Sequence, residues 1–246
     1  KIEKIFKNKK IIVTGHTGFK GSWLTLSLKN LGAKVLGISS NIPTKPSNFL
    51  ALKSTKTQGH KKNIKKGEKI KKIINSFKPD FIFHLAAQAL VSVSYKNPKE
   101  TWDTNLIGTL NILEAVKKLK KKTTLIIITS DKAYKNVEKR AGYKETDILA
   151  GIDPYSASKS SAELAIQSYF SSFLINNKNI NLGIARAGNV IGGGDWSQDR
   201  LIPDCVRSWS KNKKVIIRNP NSTRPWQHVL EAVWAYILFA AKLNNN

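Results

Sequence analysis

Two clusters of reactive side chains, Ser130-Asp131-Lys132 and Tyr155-x-x-x-Lys159, lie close together in this chain of 246 residues. Residues four apart share one face of a helix, so the Tyr155 phenol and the Lys159 ammonium are neighbours. A phenol with a pKa of about 10 is a poor base at neutral pH. A cation one helical turn away favours the phenolate. The Ser130 hydroxyl ends the apolar run Thr123–Thr129 and can reach the same substrate oxygen. Such a trio suits taking the proton from an alcohol while its carbon gives hydride to a nicotinamide. Asp131 and Lys132 add a carboxylic acid and an amine, which extends the chemistry to further proton transfers on a sugar-like alcohol.

The elements that must position these groups alternate between strand and helix. Lys10–Gly15 reads as a buried strand entering the turn Gly15-His16-Thr17-Gly18-Phe19-Lys20-Gly21, with a helix over 23–31 after it. Strands are predicted at 33–38, 80–85, 123–129 and 181–187. Ile70, Ile73, Ile74 and Phe77 recur at helical spacing in 69–77, and long helices are predicted over 99–120 and 155–174. This alternation predicts an α/β fold, a doubly wound parallel sheet of Rossmann type. A strand, a glycine-rich turn and a helix in succession present backbone N–H groups and a helix N-terminus to a pyrophosphate. After Gly188 the sequence turns to Gly192-Gly193-Gly194-Asp195-Trp196 and later Arg218–Trp226, which predicts a dinucleotide-binding domain over 1–187 and a smaller, incomplete substrate domain over 188–246. The 229–243 helix is free to pack back on the first domain.

Composition narrows the function classes. An apolar fraction of 41% supports a real core. The single Cys205 excludes an internal disulfide and fits a reducing compartment. No apolar run is long enough to span a membrane and no apolar leader opens the chain, so a cytoplasmic protein is expected. The net charge of +26 invites a nucleic-acid partner, yet only six of the 42 basic residues are Arg, the residue nucleic-acid surfaces favour for bidentate contacts. The lysines are spread along the chain and read as solvated surface, so no nucleic-acid partner is expected. No Cys/His cluster suggests a metal.

The glycine turn with Tyr155-x-x-x-Lys159 resembles the extended short-chain dehydrogenase/reductase superfamily of nucleotide-sugar epimerases and dehydratases. The segments 15–24, 84–91, 129–132, 153–159, 186–196 and 223–230 resemble its CDP-glucose 4,6-dehydratase branch nearly end to end. That resemblance implies NAD as cofactor, with Gly15, Thr17, Gly18, Phe19, Gly21, Asn41, Leu85, Ala86, Ala87 and Asn105 around it beside Tyr155 and Lys159. It implies a nucleotide-sugar substrate held by Gln88, Asn189, Arg200, Arg224 and His228, although a lone His is as readily structural; His84 reads as structural. Ser130, Asp131, Lys132, Tyr155 and Lys159 are implied as catalytic. Asp131 would be the acid that helps the C6 hydroxyl leave, and Lys132 would be the C5 base or the cation that steadies the enolate. A homodimer through the 99–120 and 155–174 helices, and a place in deoxysugar synthesis for O-antigen and lipopolysaccharide, follow from the same resemblance. A nucleotide-sugar 4-epimerase or reductase, and a non-catalytic polyanion-binding relative, are the alternatives.

The chain departs from the family pattern at several places. Asn41 stands where an acidic residue would grip the adenosine ribose, which favours NAD over NADP only weakly. Gly59-His60-Lys61-Lys62-Asn63 stands where acidic residues are expected in the loop after the third strand, and Ser92 and Ala133 also differ. No methionine occurs, so a chain that has lost its initiator, or a fragment, is expected; the family continues beyond position 246, so a C-terminally truncated enzyme or a degenerate copy is expected.

Overall fold

The computed structural model describes residues 1–52, 57–217 and 219–245. In chain order the elements are α1 (Ile2–Phe6), β1 (Lys10–Thr14), α2 (Phe19–Asn30), β2 (Lys34–Ser39), α3 (Asn48–Ala51), β3 (Gln58–Lys61), α4 (Gly67–Phe77), β4 (Phe81–His84), α5 (Val91–Lys96), α6 (Pro98–Trp102), α7 (Gly108–Lys117), β5 (Thr123–Ile128), α8 (Pro154–Tyr169), β6 (Ile180–Ala185), β7 (Asn189–Ile191), α9 (Leu201–Trp209), β8 (Trp226–His228) and α10 (Val229–Asn244). Six strands form one sheet in the order β3-β2-β1-β4-β5-β6, every pair parallel. The expected doubly wound α/β fold is therefore present.

Every residue of β4 and β5 is buried, and apart from His84 these strands read as continuous apolar or β-branched runs rather than as alternating ones. That is the pattern of a sheet covered on both faces. Successive residues still divide between the two cores. Val13, Phe83 and Ile126 pack with Leu24, Leu28, Val233 and Ile237 of α2 and α10. Ile12, Ile82 and Ile127 pack with Ile70, Ile74, Ile112 and Ile166 of α4, α7 and α8. The strand order reverses between β1 and β4, and the crevice at the carboxyl ends of those two strands is where this architecture receives ligands.

Several boundaries differ from the sequence reading, each for a local reason. α2 starts at Phe19 inside the glycine turn, because Gly18 in extended backbone begins the helix early. The β3 residues carry no apolar alternation and are held as an edge strand by register with β2, from Leu36 opposite Gln58 to Ser39 opposite Lys61. Gly59, His60 and Lys61 are thus the third strand itself, and only Lys62 and Asn63 follow it. The helix expected over 99–120 begins at Pro98, widens into a π turn over Asp103–Ile107 and ends at Lys117. The helix expected over 155–174 begins at Pro154 and gives way to a π turn at Phe170–Leu174.

Beyond Gly188, β7 and β8 pair in a small parallel sheet, with Asn189 opposite Trp226 and Ile191 opposite His228. Arg218 of the intervening segment lies outside the described residues. α10 then returns to the main sheet, where Val229, Val233, Tyr236, Ile237 and Ala240 are buried in the core shared with α2.

Candidate active site

The glycine turn is fixed by close backbone contact. Gly15 sits at φ +76°, and a Cβ there would lie 2.8 Å from the amide nitrogen of Ala86, so the turn rests on the segment leaving β4. A Cβ on Gly21 would lie 2.1 Å from the Gly15 carbonyl oxygen. No side chain caps α2 and no acidic residue stands in its first turn, which leaves its positive end available to an anion. The Thr17 hydroxyl donates to the Asn41 carbonyl at 2.6 Å, bringing the end of β2 against the turn. The Ala86 amide donates to the Thr14 hydroxyl at 3.1 Å, ordering the Leu85–Ala87 wall. A turn that admits no Cβ, an uncapped helix N-terminus and flanking strand ends fit the pyrophosphate and adenosine ribose of a dinucleotide.

His16 explains a further glycine, Gly37. Its ring is buried, hydrogen-bonded to the Ser39 hydroxyl at 2.8 Å, and a Cβ on Gly37 would lie 2.3 Å from it. Burial lowers its pKa below the ordinary histidine value, which favours the neutral ring.

The second cluster is set by the start of α8. Asp153 is the N-cap, its carboxylate accepting the Tyr155 and Ser156 amides at 3.0 Å each, and Pro154 occupies the first helical position. Tyr155 is thereby held in the first turn, with Lys159 one turn on and Glu163 two turns on. All three are buried. Burial raises the Tyr155 pKa, while a hydrogen bond with the Ser130 hydroxyl and the charge of Arg200 oppose the shift. Ser130 also donates to the Asp131 carboxylate at 3.0 Å, so one hydroxyl joins the phenol to the acid. Burial first, and then the charge of Lys20, bring Lys159 down to about 8, with the charge of Glu163 acting the other way. Glu163 is fully buried and binds the Arg186 guanidinium through both oxygens at 2.9, 2.9 and 2.5 Å. It also accepts from Thr129 at 2.5 Å. Arg186 in turn stacks over Tyr134.

The Gly192–Asp195 loop closes over α2. Trp23 Nε1 donates to the Gly193 carbonyl at 3.0 Å, and Gly194, at φ +89°, would carry a Cβ 2.3 Å from Asn48. Arg200 pairs with the Asp195 carboxylate at 3.0 Å. Lys20, half-buried in the first turn of α2, joins this group: burial and the Arg200 charge lower its pKa to about 8, with Asp131 and Asp195 acting in the other direction.

Comparison with known proteins agrees with this geometry. The sequence matches the GDP-mannose 4,6 dehydratase family over residues 12–245. The chain belongs to that family. It is 48% identical to CDP-glucose 4,6-dehydratase of Salmonella typhimurium over 98% of this chain and 69% of that protein. Among solved structures, UDP-glucose 4-epimerase from Thermotoga maritima with UDP-glucose superposes with a TM-score of 0.82 at 25% identity, over 94% of this chain and 72% of that one. A dTDP-glucose 4,6-dehydratase from Bacillus anthracis in complex with NAD gives 0.77 at 26% identity, over 92% and 70%.

Within this member of the GDP-mannose 4,6 dehydratase family, other expected site residues are placed less directly. Gln88 folds back on its own loop, its amide donating to Leu90 and Thr101 at 3.0 Å each. Asn105, buried in the π turn, spends its amide on Gln88 and Ser158. Both therefore shape the wall through backbone and packing. Phe19 is partly buried against the core. His228 caps α10, accepting the Leu230 amide at 3.3 Å in a capping box with Glu231. His84 is locked between the Thr14 and Thr109 hydroxyls, with burial holding its pKa at about 3. Asn189 opens β7 beside Pro225. Arg224 is exposed and bonds only its neighbour's carbonyl among the described residues, so it is not gathered with the others. Lys132 is half-buried, with its amide on the Ser130 hydroxyl. Lys20, Asp195, Glu163 and Arg186 were not singled out by sequence reasoning. Glu163 alone carried a signal, falling four residues after Lys159 on a helix rich in small residues.

Proposed function

We propose that this chain catalyses the 4,6-dehydration of CDP-glucose to CDP-4-keto-6-deoxyglucose, with NAD as cofactor. The observation that carries this reading is Ser130, whose hydroxyl is shared between Tyr155 and Asp131, because an oxidation alone needs no acid there. The 48% identity to the Salmonella CDP-glucose 4,6-dehydratase supports the choice of sugar nucleotide, and the NAD complex of the Bacillus anthracis relative supports the cofactor.

The residues divide the work. Gly15, Thr17, Gly18, Phe19, Gly21, Asn41 and the Leu85–Ala87 wall hold the dinucleotide, with Asn105 bracing that wall. The chemistry that NAD would supply at this site is reversible hydride transfer with the sugar carbons. Tyr155 accepts the O4 proton, Ser130 orients that oxygen, and Lys159 favours the phenolate. The C4 carbonyl acidifies the C5 proton, and Asp131 protonates the departing C6 hydroxyl. Arg200, with Asn189 beside it, meets the substrate diphosphate through paired N–H donors.

The proposal includes a cytoplasmic homodimer. Ile107 in the π turn before α7, Leu164 on α8 and Phe173 in the π turn after it are all exposed and support that contact. No helix among the described residues is long and apolar enough to cross a membrane. Incubation with CDP-glucose and NAD tests the activity: the expected result is a 4-keto product with its absorbance in alkali. Absence of product from every nucleotide-glucose tried overturns the reading.

A further inference from the structure

We propose that Glu163 and Arg186 are positioning residues that hold the Ser130–Asp131–Lys132 turn against the helix carrying Tyr155, an assignment that rests on the dehydratase reading above. Tyr155 and Lys159 stand on α8, whereas Ser130 and Asp131 stand on the segment leaving β5. The two halves of the site come from different elements, so their spacing must be set by groups that grip both. The grip begins in the sheet. The register that puts Ile128 opposite Ala185 runs on past both strands, where the Thr129 and Asp131 amides donate to the Ala185 and Ala187 carbonyls at 2.9 and 3.2 Å. Arg186 thereby stands beside Thr129. The buried Glu163 carboxylate takes both side chains, accepting from Thr129 at 2.5 Å and from the guanidinium through two oxygens. Side chains alternate along extended backbone, so tying Thr129 to α8 turns Ser130, itself extended, the other way.

The far end of the turn is fastened to the same helix. The Ser160 hydroxyl of α8 donates to the Ala133 carbonyl at 2.8 Å. The guanidinium of Arg186 lies over the Tyr134 ring, its Cζ 4.5 Å from the centroid, and reaches the Glu145 carbonyl at 3.2 Å. Residues 130–133 are therefore held on both sides by α8 and by the arginine that α8 binds. Glu163 follows Lys159 by one helical turn, so the residue that orders the turn shares a rigid helix with the phenol that the turn must face. A buried ion pair is a poor stabiliser beside apolar residues of the same volume. A bidentate carboxylate–guanidinium pair fixes distance and angle together. A site in two parts needs that, because a misplacement of about 1 Å can cost about 10²-fold in rate.

Arg186→Lys keeps the positive charge but loses the planar fork, and two measurements on it separate positioning from folding. In the ligand-free protein, amide hydrogen exchange over residues 129–135 is expected to rise about 10-fold or more, while α8 and the glycine turn keep wild-type rates. With CDP-glucose and NAD, kcat is expected to fall about 10- to 100-fold with KM within about threefold of wild type. The absorbance of reduced cofactor should also stand higher during turnover than in wild type. Tyr155 and Lys159 keep their place for the oxidation, whereas Asp131 loses its place for the elimination that follows. Tyr134→Leu, which removes the ring under the guanidinium, should give a smaller change of the same kind, and Tyr134→Phe should restore wild-type behaviour. These two variants carry the test if Arg186→Lys does not fold. Wild-type exchange and kinetics, exchange raised uniformly along the chain, or a loss carried by KM with no added reduced cofactor each overturns the assignment. A wild-type chain that forms no 4-keto product overturns the dehydratase reading and the catalytic purpose of the clamp with it. Product from wild type together with any of those three outcomes overturns the clamp alone.

Discussion

At the residue scale, the site is a buried set of proton-handling groups whose charges regulate one another. Tyr155→Phe removes the proposed O4 proton acceptor and is expected to lower kcat by about 10²- to 10⁴-fold, while the urea midpoint stays near wild type; steady-state kinetics beside a denaturation curve check this. Lys159 carries a stability signature. Its folded pKa of about 8 lies below the ordinary value of 10.5, so between those pH values the unfolded chain binds more protons and stability rises with pH. Below pH 8 the cost of burying the ammonium is fully present, on the order of 3 kcal/mol. Lys159→Met should therefore be more stable than wild type at pH 7.5, and that advantage should shrink towards pH 10, as urea midpoints at the two pH values will register. Tyr155 with Lys159 and Ser130 with Asp131 were legible in the sequence because helical period makes the first pair neighbours and adjacency the second. The pairing of Glu163 with Arg186 was not, because the two stand on α8 and beyond β6 and only the sheet brings them together.

At the element scale, Glu163 ties three elements together, joining α8 to Arg186 beyond β6 and to Thr129 beyond β5. Glu163→Ala leaves a half-buried guanidinium without its partner and should cost about 3–5 kcal/mol, read as a fall in the denaturant midpoint. The glycine turn is equally exacting. Gly21→Ala drives a methyl to 2.1 Å from the Gly15 carbonyl oxygen, and the expected outcome is loss of dinucleotide binding by calorimetry even where circular dichroism keeps the helical content. The β-branched and apolar runs announced β1, β4, β5 and β6. The edge strand β3 and the π turn at 103–107 were invisible to periodicity, because backbone pairing makes the first and the tertiary hold on Asn105 accompanies the second.

At the scale of the whole molecule, 42 basic residues against 16 acidic ones repel one another across the surface. Self-repulsion of this kind weakens the compact state and is screened by salt. Raising the ionic strength from low millimolar to about 0.3 M sodium chloride should raise the thermal midpoint, and a flat response would show that the ion pairs already neutralise the surface locally. The sequence by itself determined the doubly wound sheet, the glycine turn and the Tyr155–Lys159 pair on one helix face, since each is written in contacts between residues near in the chain or in a repeating apolar period. Only the tertiary structure decided that Glu163 holds Arg186, that Gln88 turns away and that α10 closes the core, because these follow from side chains brought together by strand order across long stretches of chain.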